Sequence, residues 1–594
     1  MIRPAHARTV YLSAFGSFLP GDPVANDEME DYLGRIGGVP SRQRSRVLER
    51  NGIQTRHYAL NLDGSRRHSN AEMAGRAVRT ALDEAGIDHD GVDYLTAATT
   101  LSDVLVPGFA SLVHGEAGIG PCDIASFGGV CAGGVAALKA AWAQVAAGAA
   151  DTAVACASEF ASRHLRASVL EAAGILDAKG RLPFDAEFLR WMLSDGAGAA
   201  ILRPEPATTG LSLAVDWIDV RSHADSRPAC MYAGAAKTAG NHFDRLWADH
   251  GDYTAAAERG FFVLRQDMDL LGDIVPLGVA HYLRLVDEGW IEGIPDHFVC
   301  HYSAQHFRGS IDQELARFGA AMPADRWFST LHRIGNIGSA SIYVMLQDLL
   351  RSGRLRPGQR VLAMVPESGR FITTFLALRV VEGGTRAAPT ERTALTPAAA
   401  APEATATESR TDLEARLLRG LALAWIDFES EVRRLPLIQR VLGGRVTLAD
   451  YRAILVNLRQ QVMEGSRWIT RAASNIRSDH HGLRRRFIHH AAEEQGDFLM
   501  LEENFVAVGG DREHIRGRAK NLGSEAFSAW MFQQADRENP FHLVGAMAII
   551  EGIGSRLARD WGRRIQKALD LTDAQVSFLL YHGGNDERHL GEMA

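Results

Sequence analysis

A single cysteine in a glycine-rich turn is the first residue in this sequence that could do chemistry. Cys131 lies in the stretch 126–141, SFGGVCAGGVAALKAA, just before an alanine-rich amphipathic segment. This order predicts a turn that leads into a helix, so that Cys131 lies at or near a helix N-terminus. The unpaired N–H groups and positive dipole end there favour a thiolate, and the glycines admit a ligand's carbonyl. We interpret Cys131 as a nucleophile; the alternative is a buried cysteine that packs as a small hydrophobe.

Length and composition narrow the class of protein. A chain of 594 residues is too long for one core, and about two to four domains are expected. The net charge of -8 argues against a nucleic-acid binder. Five cysteines in so long a chain form no disulfide framework and fit a reducing compartment. Because no secretory signal and no apolar run of membrane-spanning length is visible, we expect a cytoplasmic protein without a membrane span.

Strands and helices alternate over residues 1–382, which predicts an α/β layered domain. Continuous apolar runs mark buried strands, and amphipathic periodicity marks helices. The predicted strands are 9–15, 52–60, 92–100, 151–159, 193–205, 297–304, 360–369 and 371–382. The predicted helices are one capped by Asn26 or Asp27, the segment 72–87, the segment after Cys131, the segment around 274–290 and one that begins near Asn336.

The composition changes abruptly after this domain. Residues 383–411 are rich in Ala, Thr, Pro and Glu and nearly lack large apolar side chains, which predicts a flexible linker. From residue 412 to 594 the periodicity is helical and strand-like alternation is absent. The C-terminal third is therefore predicted to be an all-α bundle that folds separately.

Four spaced motifs in residues 1–382 together resemble the thiolase-fold ketosynthases of the ketoacyl-ACP synthase III type. They are GGVCAGG (128–134), SDGAGAAILRP (194–204), HYSAQHF (301–307) and GNIGSAS (335–341). The resemblance implies an enzyme that forms carbon–carbon bonds between acyl thioesters and needs no cofactor. HYSAQHF lacks the family's His-Gln-Ala-Asn motif, so a housekeeping initiator of fatty-acid synthesis is not expected.

The resemblance also implies roles for individual residues. Cys131 would carry the acyl group, while His301 and Asn336 would stabilise the enolate of the second substrate. His306 is a rival for His301, and Asn336 could be a plain helix cap. The N–H groups of Cys131 and of Gly369, in the turn PESGR, would hold the oxyanion.

A narrower resemblance comes from residues 17–42, 51–60 and 365–371, together with the long C-terminal extension. These features are similar to ketosynthases that make dialkylresorcinol and stilbene precursors. Such enzymes join a β-ketoacyl and an α,β-unsaturated acyl thioester and close a cyclohexanedione ring. The alternative is a simple Claisen condensation of the synthase III type. Expected partners are acyl carrier protein or acyl-CoA and a second copy of the chain, with Arg308 the candidate for carrier docking.

Carboxylates and imidazoles in the predicted bundle suggest a metal site. His582, Asp586 and His589 fall on one helix face at the C-terminus. Glu494 and Asp497 are predicted to share a face of another helix, one turn after His490. Glu551 interrupts an apolar helix. Side chains of this kind on inward faces of several helices are what a non-haem iron or di-metal site needs, although solvated helix faces are the alternative.

The stretches 489–501, 548–554 and 578–590 resemble the ligand-bearing parts of haem-oxygenase-like, iron-containing helical proteins. That family commonly has histidine where this chain has Asp497, which weakens the case for an active oxygenase. Two further functions stay open at this stage. One is a metal-dependent oxidase whose ketosynthase part only carries acyl groups, and the other is a non-catalytic carrier or assembly module.

Overall fold

The computed structural model describes residues 8–238, 243–384 and 410–583. They form two compact units, one of residues 8–236 and 243–384 and the other of residues 410–583 with 237–238. Within these described ranges, no helix combines the length and the apolar character needed to cross a bilayer.

The first unit is built on a mixed sheet of ten strands. In chain order the strands of this unit are β1 (Val10–Phe18), β2 (Val24–Ala25), β3 (Thr55–Arg56), β4 (Tyr94–Thr99), β5 (Asp123–Gly128), β6 (Ala153–Glu159), β7 (Gly196–Arg203), β8 (Leu211–Ser222), β9 (Met231–Tyr232), β10 (Ala235–Lys237), β11 (Phe243–Leu246), β12 (Arg265–Gln266), β13 (His297–Cys300), β14 (Trp327–Phe328), β15 (Arg360–Glu367) and β16 (Ile372–Glu382). The large sheet has the order β14-β13-β15-β16-β8-β1-β7-β6-β4-β5. β4 runs parallel to β5 and β6, and β13 runs parallel to β14 and β15, whereas the central strands pair antiparallel.

Helices cover both faces of this sheet. They are α1 (Met29–Leu33), α2 (Arg44–Asn51), α3 (Asn70–Ala85), α4 (Phe109–Ala117), α5 (Cys131–Ala147), α6 (Ala167–Ala172), α7 (Phe184–Arg190), α8 (Tyr253–Glu258), α9 (Ile274–Asp287), α10 (Gln305–Arg317), α11 (Leu331–Ile334) and α12 (Ser341–Arg351). Along β6, Val154 and Cys156 join the core beneath α3 and α4, while Ala155 and Ala157 join the core beneath α5 and α12. Both faces are therefore buried, which explains the continuous apolar runs in the sequence.

The large sheet confirms the predicted layered α/β domain, but one predicted strand is nearly absent. In the stretch 52–60 only β3 pairs as a strand. The N–H of His57 donates to the hydroxyl of Ser194 at 2.9 Å, and the N–H of Ala59 donates to the carboxylate of Asp195 at 2.7 Å. Buried side-chain acceptors thus replace the neighbouring strand that the apolar pattern had suggested.

The second unit is helical throughout its described residues 410–583, in agreement with the sequence prediction. Its helices are α13 (Arg410–Arg434), α14 (Pro436–Leu442), α15 (Leu448–Asn475), α16 (His481–Glu493), α17 (Asp497–Ala507), α18 (Arg512–Gly517), α19 (Leu522–Ala535), α20 (His542–Ile553) and α21 (Arg559–Leu569). The long helix α15 packs against α16, α17 and α19. Residues 385–409, most of the predicted linker, lie outside the described residues, and α13 begins before the predicted linker end at 411.

The contact between α5 and the loop before α12 leaves no room for a side chain. A Cβ added at Gly134 would lie 2.0 Å from the carbonyl oxygen of Ser339. The hydroxyl of Tyr343 also donates to the carbonyl of Gly134 at 2.8 Å. The loop that carries Asn336 is therefore held directly against the helix that carries Cys131.

We predict that Gly134→Ala lowers the free energy of unfolding by about 1–3 kcal/mol, because the backbone of one element must move. Gly115→Ala in α4 is the matched control, since nothing lies within 4 Å of its added Cβ. That control should be neutral or stabilising, as alanine favours the helix by about 1 kcal/mol. Urea denaturation of both variants measures the difference, and equal stability of Gly134→Ala and the wild type would contradict the described packing.

Candidate active site and candidate metal centre

Cys131 is the first residue of α5, as its glycine-rich surroundings predicted. β5 ends at Gly128, and Gly129 has φ of +129°, a conformation that favours glycine. The chain therefore turns sharply between strand and helix. Cys131 is buried but lines the wall of a cavity.

His301 follows β13 directly, and its N–H donates to the carbonyl of Met364 at 2.9 Å. The side chain is buried, and its Nε2 has no hydrogen-bond partner among the described residues. Burial lowers the pKa of His301 to about 4, so the imidazole is neutral at physiological pH. A neutral ring with an unengaged nitrogen at a cavity is suited to donate a hydrogen bond to a substrate oxygen.

Asn336 is buried in the loop between α11 and α12. Its Oδ1 accepts the N–H of Gly338 at 2.9 Å, and its carbonyl accepts the N–H of Ser194 at 2.9 Å. With Oδ1 engaged in this way, the amide nitrogen is the group left to donate. The helix predicted near Asn336 begins only at Ser341, because a 3-10 turn over Gly338–Ala340 intervenes.

One cavity brings Cys131, His301 and Asn336 together. Its volume is about 1030 Å³, a figure that includes the open space at its mouth. His306 lies on the exposed side of α10 and outside this lining, so the geometry favours His301 over its rival. The apolar part of the wall comprises Leu101, Val130, Phe160, Ala161, Phe188, Leu189, Met192, Leu193, Met231, Leu264, Leu271, Ile274, Val275, Phe307 and Ile311.

Two buried carboxylates near Cys131 were not predicted from the sequence. Glu367, at the end of β15, accepts the N–H of Ala132 at 3.0 Å and of Val130 at 3.2 Å, both on Oε2. Glu159, at the end of β6, lines the cavity. Both follow apolar strands directly, a position where a polar residue signals a site at the strand end. That signal was present in the sequence.

The expected thiolate at Cys131 is not supported. Burial raises the pKa of Cys131 well above its ordinary value, and the negative charges of Glu367 and then Glu159 raise it further. The helix N-terminus does bind an anion there, but the anion is the carboxylate of Glu367. The resting state of Cys131 is therefore a thiol.

Gly369 lies in the turn between β15 and β16, close to the start of α5. A Cβ added at Gly369 would lie 3.1 Å from the side chain of Val130 and 2.7 Å from the carboxylate of Glu367. Its carbonyl accepts the N–H of Cys230 at 2.8 Å. The assignment of Gly369 as a second oxyanion donor stays a prediction. Arg308, on α10, has its guanidinium 5.2 Å from the centre of the Trp327 ring, and its docking role likewise stays a prediction.

In the helical unit, four of the predicted metal ligands lie close together: Glu494, Asp497, Glu551 and His582. His490, which was not predicted as a ligand, lies among them. Nε2 of His490 lies 3.1 Å from a carboxylate oxygen of Glu551, and Nε2 of His582 lies 3.4 Å from Oδ2 of Asp497. Glu494 belongs to both groups, and within each group the ligand atoms lie within 4.8 Å of one another. Asp586 and His589 lie outside the described residues.

The prediction that Glu494 and Asp497 share one helix is wrong. A 3-10 turn over Glu494–Gly496 separates α16 from α17, and Asp497 is the first residue of α17. Gly496, a residue type with a low helix propensity, lies at this break. The break nevertheless keeps both carboxylates beside His582.

The chemistry of these five side chains fits a metal ion. Imidazole nitrogens and carboxylate oxygens suit iron, manganese or zinc. Burial and the neighbouring charge of Glu551 raise the pKa of Glu494 to about 7. Crowded, half-buried carboxylates are costly without a compensating cation. His490, Glu494, Asp497, Glu551 and His582 are thus able to hold one.

Comparisons with known proteins agree on the first unit. The family model described as "Thiolase, N-terminal domain" matches residues 55–176, which contain Cys131. The model described as "3-Oxoacyl-[acyl-carrier-protein (ACP)] synthase III C terminal" matches residues 293–373, which contain His301, Asn336 and Glu367. The helical unit lies outside both matches.

Individual relatives share the same region. The β-ketoacyl-[acyl-carrier-protein] synthase III of Paramagnetospirillum magneticum is 27% identical over 353 residues, 58% of this chain and 92% of that protein. The structure of AbyA1, a tetronic acid condensing enzyme, is 26% identical with a TM-score of 0.49 and covers 62% of this chain and 99% of its own. The synthase III FabH of Pseudomonas aeruginosa is 23% identical with a TM-score of 0.46, covering 63% and 98%.

The fold, the two family matches and the relative from Paramagnetospirillum magneticum point to one class of enzyme for the first unit. The first unit is similar to synthase III ketosynthases of the thiolase fold, and these homologues indicate an enzyme that transfers acyl groups and forms carbon–carbon bonds.

We predict that Glu367→Gln lowers the pKa of Cys131. Both backbone hydrogen bonds use Oε2, so an amide oxygen can keep them while the negative charge is lost. Because burial raises the pKa of Glu367 to about 7, the difference should be largest above that pH. The measurement is the rate of Cys131 alkylation by iodoacetamide against pH, with Cys131→Ala identifying the labelled peptide. The profile should move to lower pH; an unmoved or higher profile would refute the electrostatic account.

Proposed function

We propose that the first unit condenses two acyl thioesters through an acyl-Cys131 intermediate. The observation that carries this proposal is the single cavity in which Cys131, His301 and Asn336 meet beside an apolar wall. The nucleophile and the two hydrogen-bond donors stand at the polar part of the lining, and the rest can hold an alkyl chain.

In the first half-reaction the sulfur of Cys131 attacks the carbonyl carbon of an acyl thioester. The carbon–sulfur bond of the donor breaks, and its thiol leaves with the proton of Cys131. The alkyl chain then lies along the apolar wall, which removes it from water and contributes about 0.8 kcal/mol for each buried methylene.

In the second half-reaction another thioester becomes a carbon nucleophile. Its oxygen gains negative charge, which the N–H of a neutral His301 and the amide of Asn336 would stabilise. The neutral state of His301 matters here, because a neutral imidazole donates a hydrogen bond without giving up its proton. The donor is therefore the same at the start of every catalytic cycle. Attack on acyl-Cys131 forms the carbon–carbon bond and releases the sulfur.

We further propose that the substrates are a β-ketoacyl and an α,β-unsaturated acyl thioester and that the product is a cyclohexanedione, the precursor of a dialkylresorcinol or stilbene. Support comes from the resemblance of the stretches 17–42, 51–60 and 365–371 to such ketosynthases and from the cavity volume of about 1030 Å³. Acyl carrier protein or coenzyme A would deliver both chains, with Arg308 near the carrier. A second copy of this chain is the proposed partner. The alternative is a simple synthase III-type condensation.

His301→Ala and Asn336→Ala should each still be acylated at Cys131 but condense about 100- to 1000-fold more slowly, because each loses one donor to the enolate oxygen. Intact-protein mass spectrometry measures acylation from a panel of acyl thioesters, and product analysis measures condensation.

His306→Ala is the matched control and should behave as the wild type, since His306 is exposed. Cys131→Ala should show no adduct at all. A larger effect of His306→Ala than of His301→Ala would show that the wrong histidine was assigned, and an adduct on Cys131→Ala would remove the nucleophile.

The helical unit has a second proposed function, supported by the convergence of His490, Glu494, Asp497, Glu551 and His582. We propose that these residues hold iron, as in haem-oxygenase-like proteins. Bound iron would supply oxidative chemistry toward an acyl substrate or product. An iron-dependent oxidase with the ketosynthase as carrier is therefore the alternative function of the whole chain.

Glu494→Gln should lower the iron content of the full-length protein more than any other single change, because Glu494 belongs to both ligand groups. The measurement is metal analysis after anaerobic loading with ferrous iron and desalting. Glu503→Gln, an exposed carboxylate on α17, is the matched control and should retain the metal. Equal iron in both variants, or none in the wild type, would contradict a metal site.

A further inference from the structure

Glu159 is the one acidic side chain among the described residues that line the cavity. It is buried at the end of β6 and packs against the loop that carries Asn336. Its Oε1 accepts the hydroxyl of Ser339 at 2.5 Å and the hydroxyl of Thr100 at 2.9 Å. These bonds fix the carboxylate beside the place where His301 and Asn336 would hold a thioester oxygen.

The two oxygens of Glu159 are not equivalent. Oε1 also accepts the N–H of Ser339 at 3.2 Å, whereas the one donor to Oε2 among the described residues is the N–H of Thr100, at 3.2 Å. That N–H is shared with Oε1 at the same distance. Oε2 therefore keeps the capacity to accept a proton, while Oε1 holds the side chain in place.

A condensation that does not release carbon dioxide requires a base for the α-hydrogen of the second thioester. Among the described lining residues, His301 is neutral and serves as a donor, and Cys131 is acylated at this stage. Burial lowers the pKa of His164 to about 4, which makes it a weak base, and its Nε2 already accepts the N–H of Arg163 at 3.0 Å. Glu159 remains, and burial raises its pKa to about 7, close to the value at which a base is most effective.

We propose that Glu159 is the general base that removes the α-hydrogen of the second acyl thioester, so that condensation at Cys131 proceeds without decarboxylation. This inference rests on the proposed condensation and adds a catalytic residue to it. It also specifies the substrate class, a thioester that keeps an α-hydrogen and needs no α-carboxylate. A β-ketoacyl thioester meets this requirement well, because two carbonyl groups acidify the carbon between them.

The proton balance closes within the cavity. Glu159 takes the α-hydrogen as a proton, and the electron pair of the broken carbon–hydrogen bond becomes the enolate held by His301 and Asn336. The enolate carbon then bonds to the carbonyl carbon of acyl-Cys131. When that intermediate collapses, the carbon–sulfur bond breaks and the thiolate of Cys131 leaves. Because the resting Cys131 is a thiol, the proton on Glu159 returns to the sulfur and restores both groups.

The test separates proton removal from acylation and from condensation. Cys131→Ala is the parent protein, because it cannot be acylated and leaves a bound thioester intact. It is incubated in heavy water with octanoyl, decanoyl and dodecanoyl pantetheine thioesters, and mass spectrometry measures deuterium at the α-carbon. Adding Glu159→Gln should lower this exchange about 100- to 10,000-fold, and Glu159→Asp should keep part of it. Glu187→Gln, another buried carboxylate of the same unit, is the matched control.

A second measurement excludes a merely structural role. With Cys131 intact, Glu159→Gln should be acylated at least as fast as the wild type, because removing a negative charge lowers the pKa of Cys131, while condensation is lost. Equal exchange in Glu159→Gln and its parent would overturn the proposal, as would an absence of exchange in the parent. Joint loss of acylation and condensation in both Glu159 variants would also overturn it, since that result indicates misfolding of the site.

The same measurements distinguish the base from the proposed condensation. If the wild type forms no condensation product but exchange still depends on Glu159, the condensation fails and the base assignment stands. If the wild type forms product only from a malonyl thioester, whose decarboxylation supplies the enolate, condensation stands and the base assignment is overturned.

Discussion

The hydrogen bonds from Val130 and Ala132 to Glu367 join the two halves of the ketosynthase cavity. One half supplies the strand–turn–helix of β5 and α5, and the other supplies β15 and the turn that follows it. A carboxylate suits this position because the first N–H groups of a helix have no partner within the helix. The position of the Cys131 sulfur depends on this contact, since Cys131 lies between the two donating residues. A neutral side chain of similar shape can preserve the contact but not its electrostatic effect.

Negative charge beside a nucleophilic cysteine disfavours the reactive thiolate. This placement of charge has a reason if the thiolate of Cys131, after it leaves at the end of the reaction, must take up a proton again. Burial together with Glu367 and Glu159 keeps Cys131 as a thiol at rest. His301 is held neutral by the same low-dielectric surroundings. The cavity thus starts each cycle with its thiol proton in place and with a neutral donor beside the substrate oxygen.

Much of the first unit could be predicted because its signals are local. A glycine-flanked cysteine before an alanine-rich segment specifies a turn and a helix start, and apolar runs such as that of β6 specify buried strands. The short β3 was overestimated because the acceptors for the N–H groups of His57 and Ala59 come from residues more than 130 positions away. The raised pKa of Cys131 was missed for the same reason, because both its burial, the larger cause, and the charge of Glu367 depend on residues far away in the sequence. Glu367 is 235 positions from Ala132, and no local pattern reports a charge that distant.

The candidate metal ligands of the helical unit show the opposite relation between sequence and structure. Four of these residues were recognised from the sequence one by one, and His490 was not. Periodicity predicted a single helix for Glu494 and Asp497, because a regular pattern cannot reveal a break at Gly496. The ligand atoms come together despite that break, since α16, the 3-10 turn, α17, α20 and the helical residues around His582 each contribute one. An imidazole beside a carboxylate at 3.1 Å, as for His490 and Glu551, is also a stable pair in its own right. The shared Glu494 brings three carboxylates close together, an arrangement whose mutual repulsion a bound cation would relieve.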